Sequence, residues 1–394
     1  MALRSLAWML LCLLLAVHAA TAQPAVKIGV LTNIGAVFAA YAGQGSVVAA
    51  RLAIEDAGMA GKAELVFADH RNNPDIGVAI AREWFDRDGV DAIFDVPTSV
   101  VALAVNALAG EKRRLVFFST PITERLTEED CNGYGIAWTW DVYSAAHTAT
   151  LAQLRRGMRT WFIIAQEYPA GQAIEAMIRQ TVEADGGEVL GVVRHPLGET
   201  EYASYLEEAK AADAQFIAFT SGGADLSNAI GQLREPGATE AGQRFGMMFT
   251  TITVVHSVGL EVLQGLEFAT AFYWDRDDRT RDFARRFVAE HKAMPTMFQA
   301  GVYSAVLNYL RAVQATGSTK AETVRDWLRA TPIEDAFARN GRLLANGRFI
   351  HDMLLARIKA PKASRGPWDY YEITRTVPAA EAFRSLADSK CPLK

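Results

Sequence analysis

The chain is poor in the residue types that usually signal metal or nucleophile chemistry. Its 394 residues include 3 cysteines and 7 histidines, and no two histidines form an H-x-x-x-H pair or join a cysteine cluster. A zinc site has no support from that spacing, so no metal ligand is assigned. A G-x-S-x-G elbow and a Walker loop are absent as well, and Gly43-Gln44-Gly45 lacks the third glycine of a dinucleotide fingerprint. No cofactor and no catalytic residue are therefore expected. Nor is there a basic stripe: 40 Lys and Arg stand against 45 Asp and Glu, a formal net charge of −5 with the signs interspersed. This excludes a nucleic-acid footprint. Low-complexity segments and short-period repeats are also missing.

What is present begins with an apolar leader. Arg4 is the only charge before the run 6–17, which is too short to span a bilayer and ends in small residues. Ala20-Thr21-Ala22 fits an A-x-A cleavage site, so residues 1–22 read as a signal peptide and Gln23 as the mature N-terminus. Cys12 lies inside the apolar run behind Leu11, which does not suit a lipoprotein signal. The expected product is exported, free of a lipid anchor and without a further membrane span. About 370 residues remain, more than one hydrophobic core usually serves, so two domains are expected. The two remaining cysteines, Cys131 and Cys391, would pair in an oxidising compartment; the alternative is two free thiols. A bridge closing so long a loop would restrict the unfolded chain by about 3–5 kcal/mol.

Strand-like runs alternate with helical patterns. Strands are predicted at 26–31, 63–68, 91–96 and 115–118, with helices at 44–57, 75–86 and 100–111 between them. The rhythm repeats with strands at 160–165, 188–193, 214–219 and 246–249 and helices at 171–184, 202–212 and 225–234. Two similar parallel α/β units follow, with a junction near 138–143. Helices at 279–291, 296–315 and 323–330 come next, and then irregular β with Asn-Gly turn signals at Asn340-Gly341 and Asn346-Gly347.

In an open parallel sheet, ligands bind beyond the carboxyl ends of the strands. That rule selects the loops 33–41, 97–99 and 119–123 of the first unit. In the second unit it selects 166–169, 220–223 and 251–254. These loops are rich in hydroxyls, glycine and tyrosine and poor in charge. Thr98-Ser99 at a helix start would suit a carboxylate, through hydroxyls and free backbone N–H groups; the plain alternative is an N-cap. Phe38, Tyr41 and Tyr168 read as pocket aromatics or as core. Gly222-Gly223 reads as a turn or as a place of close backbone approach to a ligand. Asp69-His70-Arg71 reads as a hydrogen-bonded strand-end turn.

Lys27-Ile28-Gly29-Val30-Leu31, Tyr41, Gly45-Ser46-Val47-Val48-Ala49-Ala50, Asp69–Asp75 and Ala300-Gly301-Val302-Tyr303-Ser304-Ala305 together resemble the leucine/isoleucine/valine-binding protein family. These are periplasmic substrate-binding proteins of ABC importers. An alphaproteobacterial-type branch is closest, through Asp95-Val96-Pro97-Thr98-Ser99, Phe272-Tyr273-Trp274-Asp275, Gly366–Tyr371 and Lys390-Cys391-Pro392-Leu393.

The resemblance implies the type I periplasmic binding protein fold, two doubly wound Rossmann-like α/β lobes joined by three crossovers. It implies an N-lobe of 23–140 plus 275–348, a C-lobe of 141–274 plus 349–375, and a tail 376–394. The protein would be a periplasmic, monomeric binder of a small molecule, delivering it to an ABC permease in the inner membrane. Thr98, Ser99, Pro121 and Thr123 would hold a ligand carboxylate, and Tyr41, Tyr168 and Tyr303 would form aromatic walls. Gly222, Gly223 and Thr253 would face them from the C-lobe. One departure bears on the ligand. Amino-acid-binding members carry an acid after the last C-lobe strand, and 251–255 here has none; Asp225 is the nearest alternative. A buried ammonium without a partner is costly. The expected ligand is therefore a small carboxylate without an amine, aromatic or a keto or hydroxy acid. A soluble ligand sensor, an amino-acid or amide binder and an exported hydrolase are the alternatives.

Overall fold

A computed structural model of the protein describes residues 26–35, 39–234 and 243–393. The expected signal peptide with its cleavage site, and Phe38, lie outside the described residues. The first apolar runs become β1 (Val26–Thr32), β2 (Ala63–Asp69), β3 (Ala92–Asp95), β4 (Leu115–Phe118) and β5 (Gly135–Ala137). They form one parallel sheet in the order β2-β1-β3-β4-β5. β3 and β4 are buried along their whole length, as central strands covered on both faces must be. Between the strands run α1 (Gly43–Asp56), α2 (Pro74–Glu83) and α3 (Ser99–Lys112).

The second unit repeats the plan. α4 (Thr148–Leu154) leads into β6 (Thr160–Gln166), α5 (Pro169–Ala184), β7 (Glu188–His195), α6 (Ala203–Ala211), β8 (Phe216–Phe219), α7 (Gly223–Leu233) and β9 (Arg244–Met247). Its parallel sheet has the order β7-β6-β8-β9. Next come α8 (Ile252–Val258), α9 (Leu260–Leu263) and β10 (Glu267–Thr270).

The chain then returns to the first sheet with α10 (Asp278–His291), α11 (Met297–Thr316) and α12 (Ala321–Ala330). β11 (Arg342–Leu343) and β12 (Phe349–Ile350) form a hairpin, and β13 (Met353–Ile358) and β14 (Tyr371–Val377) join β10 in an antiparallel sheet. A short α13 (Ala379–Ala382) precedes the tail. The chain thus passes between the two parallel units three times, after β5, after β10 and after β12.

α11 covers the first sheet. Phe94 and Phe117 pack with Tyr309 from that helix, their two rings stacked at 4.8 Å, and Trp138 meets Phe117 edge-on. Its close approach to α1 explains Gly45: a Cβ there would lie 2.0 Å from the Gln299 side chain. The Gly43-Gln44-Gly45 pattern therefore serves helix packing and a left-handed start at Gly43, φ +53°. Cys131 and Cys391 form a disulfide across 260 residues, with Cα atoms 5.8 Å apart. The crossings are held by a buried ion pair, in which Arg348 reaches Asp141 at 2.8 Å.

Several local expectations change. Residues 251–254, read as a loop, open α8, because Thr251 Oγ1 accepts from Val254 N and Ile252 and Val255 are buried one turn apart. The helix expected at 75–86 is α2 followed by a π-type turn, Trp84–Asp88, stopped by Gly89 in the left-handed conformation. β5 and β10 escape a periodicity reading because three or four residues carry too few alternations. Asn346-Gly347 turns the β11–β12 hairpin, whereas Asn340-Gly341 precedes β11 rather than joining two strands.

Candidate functional site

Asp95 ends β3 and sits beneath the carboxyl edge of the first sheet, fully buried. Thr32 Oγ1, at the end of β1, donates to its Oδ2 at 2.7 Å, and Thr120 Oγ1, just after β4, donates to its Oδ1 at 2.7 Å. Thr32 in turn accepts from Gly43 N, which ties the start of α1 to the same carboxyl. Burial raises Asp95 to about 6, against the hydroxyl contacts that lower it. Around it the backbone is strained. Asp95, Val96 and Thr98 have φ of +82°, +50° and +72°, a conformation that β-branched residues rarely adopt and that concentrates at functional sites.

Above this carboxyl lie three polar side chains with nothing to bond. The amide of Asn33, Thr98 Oγ1 and Ser119 Oγ are buried without a hydrogen-bond partner among the described residues. They follow β1, β3 and β4, which are neighbours in the sheet, so they lie within two strand spacings, roughly 10 Å. The plainer reading of Thr98, a side-chain N-cap, does not hold. It occupies the N-cap position of α3, yet its hydroxyl makes no capping bond. Ser99 opens that helix, and Pro121 is buried in the neighbouring loop. Thr123 caps the short turn Glu124–Thr127 through a bond from Arg125 N. The segments 33–41, 96–99 and 119–123 contain no lysine or arginine.

An aromatic row leaves this edge for the second unit. Tyr41 lies 6.2 Å from Phe298, Phe298 lies 5.2 Å from Trp140, and Trp140 meets Phe249 edge-on at 4.7 Å. Tyr41 follows β1, Phe298 opens α11, Trp140 sits in the first crossing and Phe249 follows β9. Trp140 Nε1 also donates to Thr120 O, which joins the row to the loop that holds Asp95. Burial raises the Tyr41 hydroxyl above its usual range.

At the carboxyl edge of the second sheet, Tyr168 is 44% exposed at the start of α5. Gly222 is exposed before α7, and Gly223 begins that helix. Thr253 lies in the first turn of α8, its hydroxyl 3.0 Å from that of Thr251. Asp225 is buried and committed: its Oδ2 accepts from Gln166 Nε2 at 2.8 Å and Gly198 N at 3.0 Å. His195 Nε2 and Ser221 Oγ are 2.7 Å apart, but both groups are buried and the ring's Nδ1 faces Pro196 O. No carboxylate orients that imidazole as a catalytic base would require. Among the described residues no group of three or more His, Cys, Asp or Glu side chains could hold a metal.

The structure brings Tyr41, Thr98, Ser99, Pro121 and Thr123 to one sheet edge and Tyr168, Gly222, Gly223 and Thr253 to the other. Tyr303 is elsewhere. Its ring packs on Phe283 at 4.5 Å and its hydroxyl donates to Asp56 Oδ2 at 2.6 Å. Asp56 is the last residue of α1, roughly 20 Å along the helix from the strand-end loops. Burial and the Asp56 bond raise this phenol far above its ordinary value. Sequence reasoning selected the loops that hold Asn33 and Ser119 without singling those two residues out, and did not assign Asp95, Trp140, Phe249 or Phe298 to the candidate site. A charged residue closing an apolar strand was the available signal for Asp95.

The family signatures outside this region form two staples. Trp274 Nε1 donates to Trp368 O, Arg365 bonds both Asp275 and Asp369, and Lys359 pairs with Asp369. These contacts hold Asp369 well below the usual carboxylate range. The second staple is the Cys131–Cys391 bridge, where Lys390 N donates to Glu128 Oε2.

A family model described as periplasmic binding protein matches residues 25–366. Among solved structures, the chain is similar to a branched-chain amino acid ABC transporter periplasmic ligand-binding protein from Burkholderia xenovorans. Identity is 44%, coverage is 93% of this chain and 99% of that one, and the TM-score is 0.90. A periplasmic binding protein from Burkholderia mallei shares 38% identity over 94% of this chain and 99% of its own, with a TM-score of 0.85. A solute binding protein from Rhodopseudomonas palustris, solved in complex with benzoate, shares the fold at 17% identity, 94% and 100% coverage and a TM-score of 0.78. A search of curated proteins finds no match.

Proposed function

Because this chain belongs to the family of periplasmic binding proteins of ABC transporters, we propose that it captures a small carboxylate lacking an ammonium group. The ligand would sit between the carboxyl edges of its two parallel sheets. The observation that carries this reading is the set of buried polar groups on Asn33, Thr98 and Ser119, unpartnered among the described residues, at the carboxyl edge of the first sheet. A buried polar atom left unpaired costs about 1–3 kcal/mol, so three of them on one sheet edge are groups set aside for a ligand. Helix N-terminal N–H groups and hydroxyls suit a carboxylate.

The opposite edge supports the second half of the reading. Thr250, Thr251 and Thr253 stand where an ammonium would need an acid, and Asp225 is bonded inward. Tyr41, Phe298, Trp140 and Phe249 offer an apolar wall suited to an aromatic or short acyl body. That the R. palustris neighbour was solved with benzoate agrees with this class of ligand.

The reading includes a periplasmic location after removal of residues 1–22, a monomer, and delivery of the ligand to an inner-membrane ABC permease. It includes the lobe limits 23–140 with 275–348 and 141–274 with 349–375, hinged at the three crossings, so that the lobes close over the ligand. No catalytic step is assigned. Calorimetric titration with benzoate, 4-hydroxybenzoate and leucine tests it: the acids are expected to bind and leucine to bind weakly or not at all. Tight leucine binding with no response to any acid would overturn it.

A further inference from the structure

We propose that Asp95 takes up a proton from solvent as the ligand's carboxylate enters, so that the protein holds its ligand more tightly on the acid side of neutrality. The proposal rests on the carboxylate reading above and adds a regulation to the same site.

The geometry sets two negative groups against each other. The carboxylate would bond the free groups of Asn33, Thr98 and Ser119, which follow the strand that Asp95 ends and its two neighbours. That places it roughly 7 Å from the Asp95 carboxyl, one to two strand spacings away. Nothing neutralises the pair. The groups that face Asp95 are Thr32 from β1, Ser46 from α1 and Thr120 from the loop after β4, all hydroxyls. No arginine, lysine, histidine or second acid contributes to its titration. Two like charges in a buried site cannot both ionise freely, so one takes a proton. Asp95 is the one prepared for it, since burial already lifts it to about 6.

The protonated form also has somewhere to donate. Both Asp95 oxygens accept hydroxyl bonds in the present structure, from Thr32 and Thr120. Ser46 Oγ also faces the carboxyl, and its contact, like those of Thr32 and Thr120, favours the ionised form against the effect of burial. A hydroxyl accepts as well as donates, so a new O–H on Asp95 can donate to one of these three oxygens. One proton moves from bulk water to one carboxyl oxygen, and no other bond changes.

With an effective dielectric of about 20, affinity for a carboxylate is expected to rise roughly 20- to 30-fold from pH 8 to pH 5.5. Affinity for the matching carboxamide should stay within about twofold. The experiment is calorimetric titration of the wild-type protein with benzoate and benzamide, and with 4-hydroxybenzoate and its amide, at both pH values. Repeating the benzoate titration at pH 7 in buffers of different ionisation heat counts protons; uptake of about three-quarters of a proton per ligand is expected.

Asp95→Asn should bind benzoate with an affinity that no longer depends on pH. If that variant does not fold, the proton count on the wild-type protein decides alone. Carboxylates bound equally at both pH values, with no proton uptake, would overturn this proposal and leave the ligand reading standing. If no carboxylate binds at either pH, the ligand reading has failed and this one falls with it.

Discussion

Replacing Arg348 by methionine should be among the most damaging single changes in the protein, although the residue is far in sequence from either parallel sheet. Its guanidinium is 4% exposed and Asp141 is 6% exposed, with Nη2 and Oδ2 2.8 Å apart. Nη1 donates to Trp140 O at 2.9 Å and also reaches Ala137 O, while Nη2 reaches Thr127 Oγ1. The first and third crossings are thus joined through one side chain. Arg348→Met preserves much of the volume but leaves the buried Asp141 without its ion-pair partner and removes the donor from Trp140 O. Breaking a buried pair from one side costs about 3–5 kcal/mol.

At roughly 2 cal/mol/K of unfolding entropy per residue, a chain of about 370 residues loses about 4–6 °C of melting temperature. The double variant Arg348→Met with Asp141→Asn keeps the acceptor that Asp141 Oδ1 offers to Ser144 N and removes the stranded charge. It should recover at least half of the loss.

Glu124 gives the pH dependence its sign. Burial, and then the nearby Asp141, raise it above its ordinary value, while Arg384 and Arg348 oppose them. A raised carboxyl favours the protonated fold, so its contribution is largest at low pH and fades as pH rises through its folded value. Without Arg348 the rise is greater, so the deficit of Arg348→Met should be smaller at pH 5 than at pH 7.5. Thermal unfolding followed by circular dichroism measures all three quantities. A single variant within 1 °C of wild type, or a double variant no better than the single, would refute the reasoning.

Three further outcomes follow from other parts of the molecule. Thr253→Glu puts an acid in the first turn of α8, at the edge where an ammonium would lie. It should confer calorimetrically measurable leucine binding, and no gain would argue that Thr253 does not face the ligand. Cys131→Ser with Cys391→Ser opens a bridge across 260 residues and should cost up to about 5 kcal/mol in urea unfolding. An unchanged midpoint would mean that the tail's bonds to Glu128 and Asn346 hold it unaided. Burial lowers His70 to about 4, so the neutral ring favours the fold. Its contribution is intact above about 6.5 and lost as pH falls toward 4. His70→Asn should flatten the decline of melting temperature over that window, and an unchanged slope would contradict the assignment.

The alternation of strand and helix was readable because each buried strand is a short apolar run and each helix repeats its apolar face at three and four residues. The carboxyl-edge rule then selected the two sets of loops that carry the candidate residues, since it depends only on chain direction. Side-chain role was harder. Thr98 could be a cap or a ligand group until its hydroxyl proved uncapped and unpaired. Tyr303 was placed by resemblance alone, and its ring turned out to face α10 with its hydroxyl on Asp56. Trp140, Phe249 and Phe298 come from three distant segments, and no local pattern in a sequence can bring such residues together.

The residues that most clearly marked the family are mostly not the ones proposed to meet the ligand. Phe272–Asp275 and Gly366–Tyr371 are far apart in sequence and form one latch, through Trp274 to Trp368 O and through Arg365 between Asp275 and Asp369. Lys390–Leu393 closes the tail with its disulfide. Each of these segments supplies the other's bonding partner, so they identify an architecture while leaving its ligand open. The exception is Asp95-Val96-Pro97-Thr98-Ser99, where the architecture and the site coincide. There a buried acid braces three strand ends, and a strained turn holds a hydroxyl away from its own helix. A bracing acid alone would not need that strain, and a helix cap alone would not leave Thr98 unpaired. Under the proposed function the group it holds out is completed by a ligand, and that is why the proposal reads the ligand's chemistry there rather than from the latch.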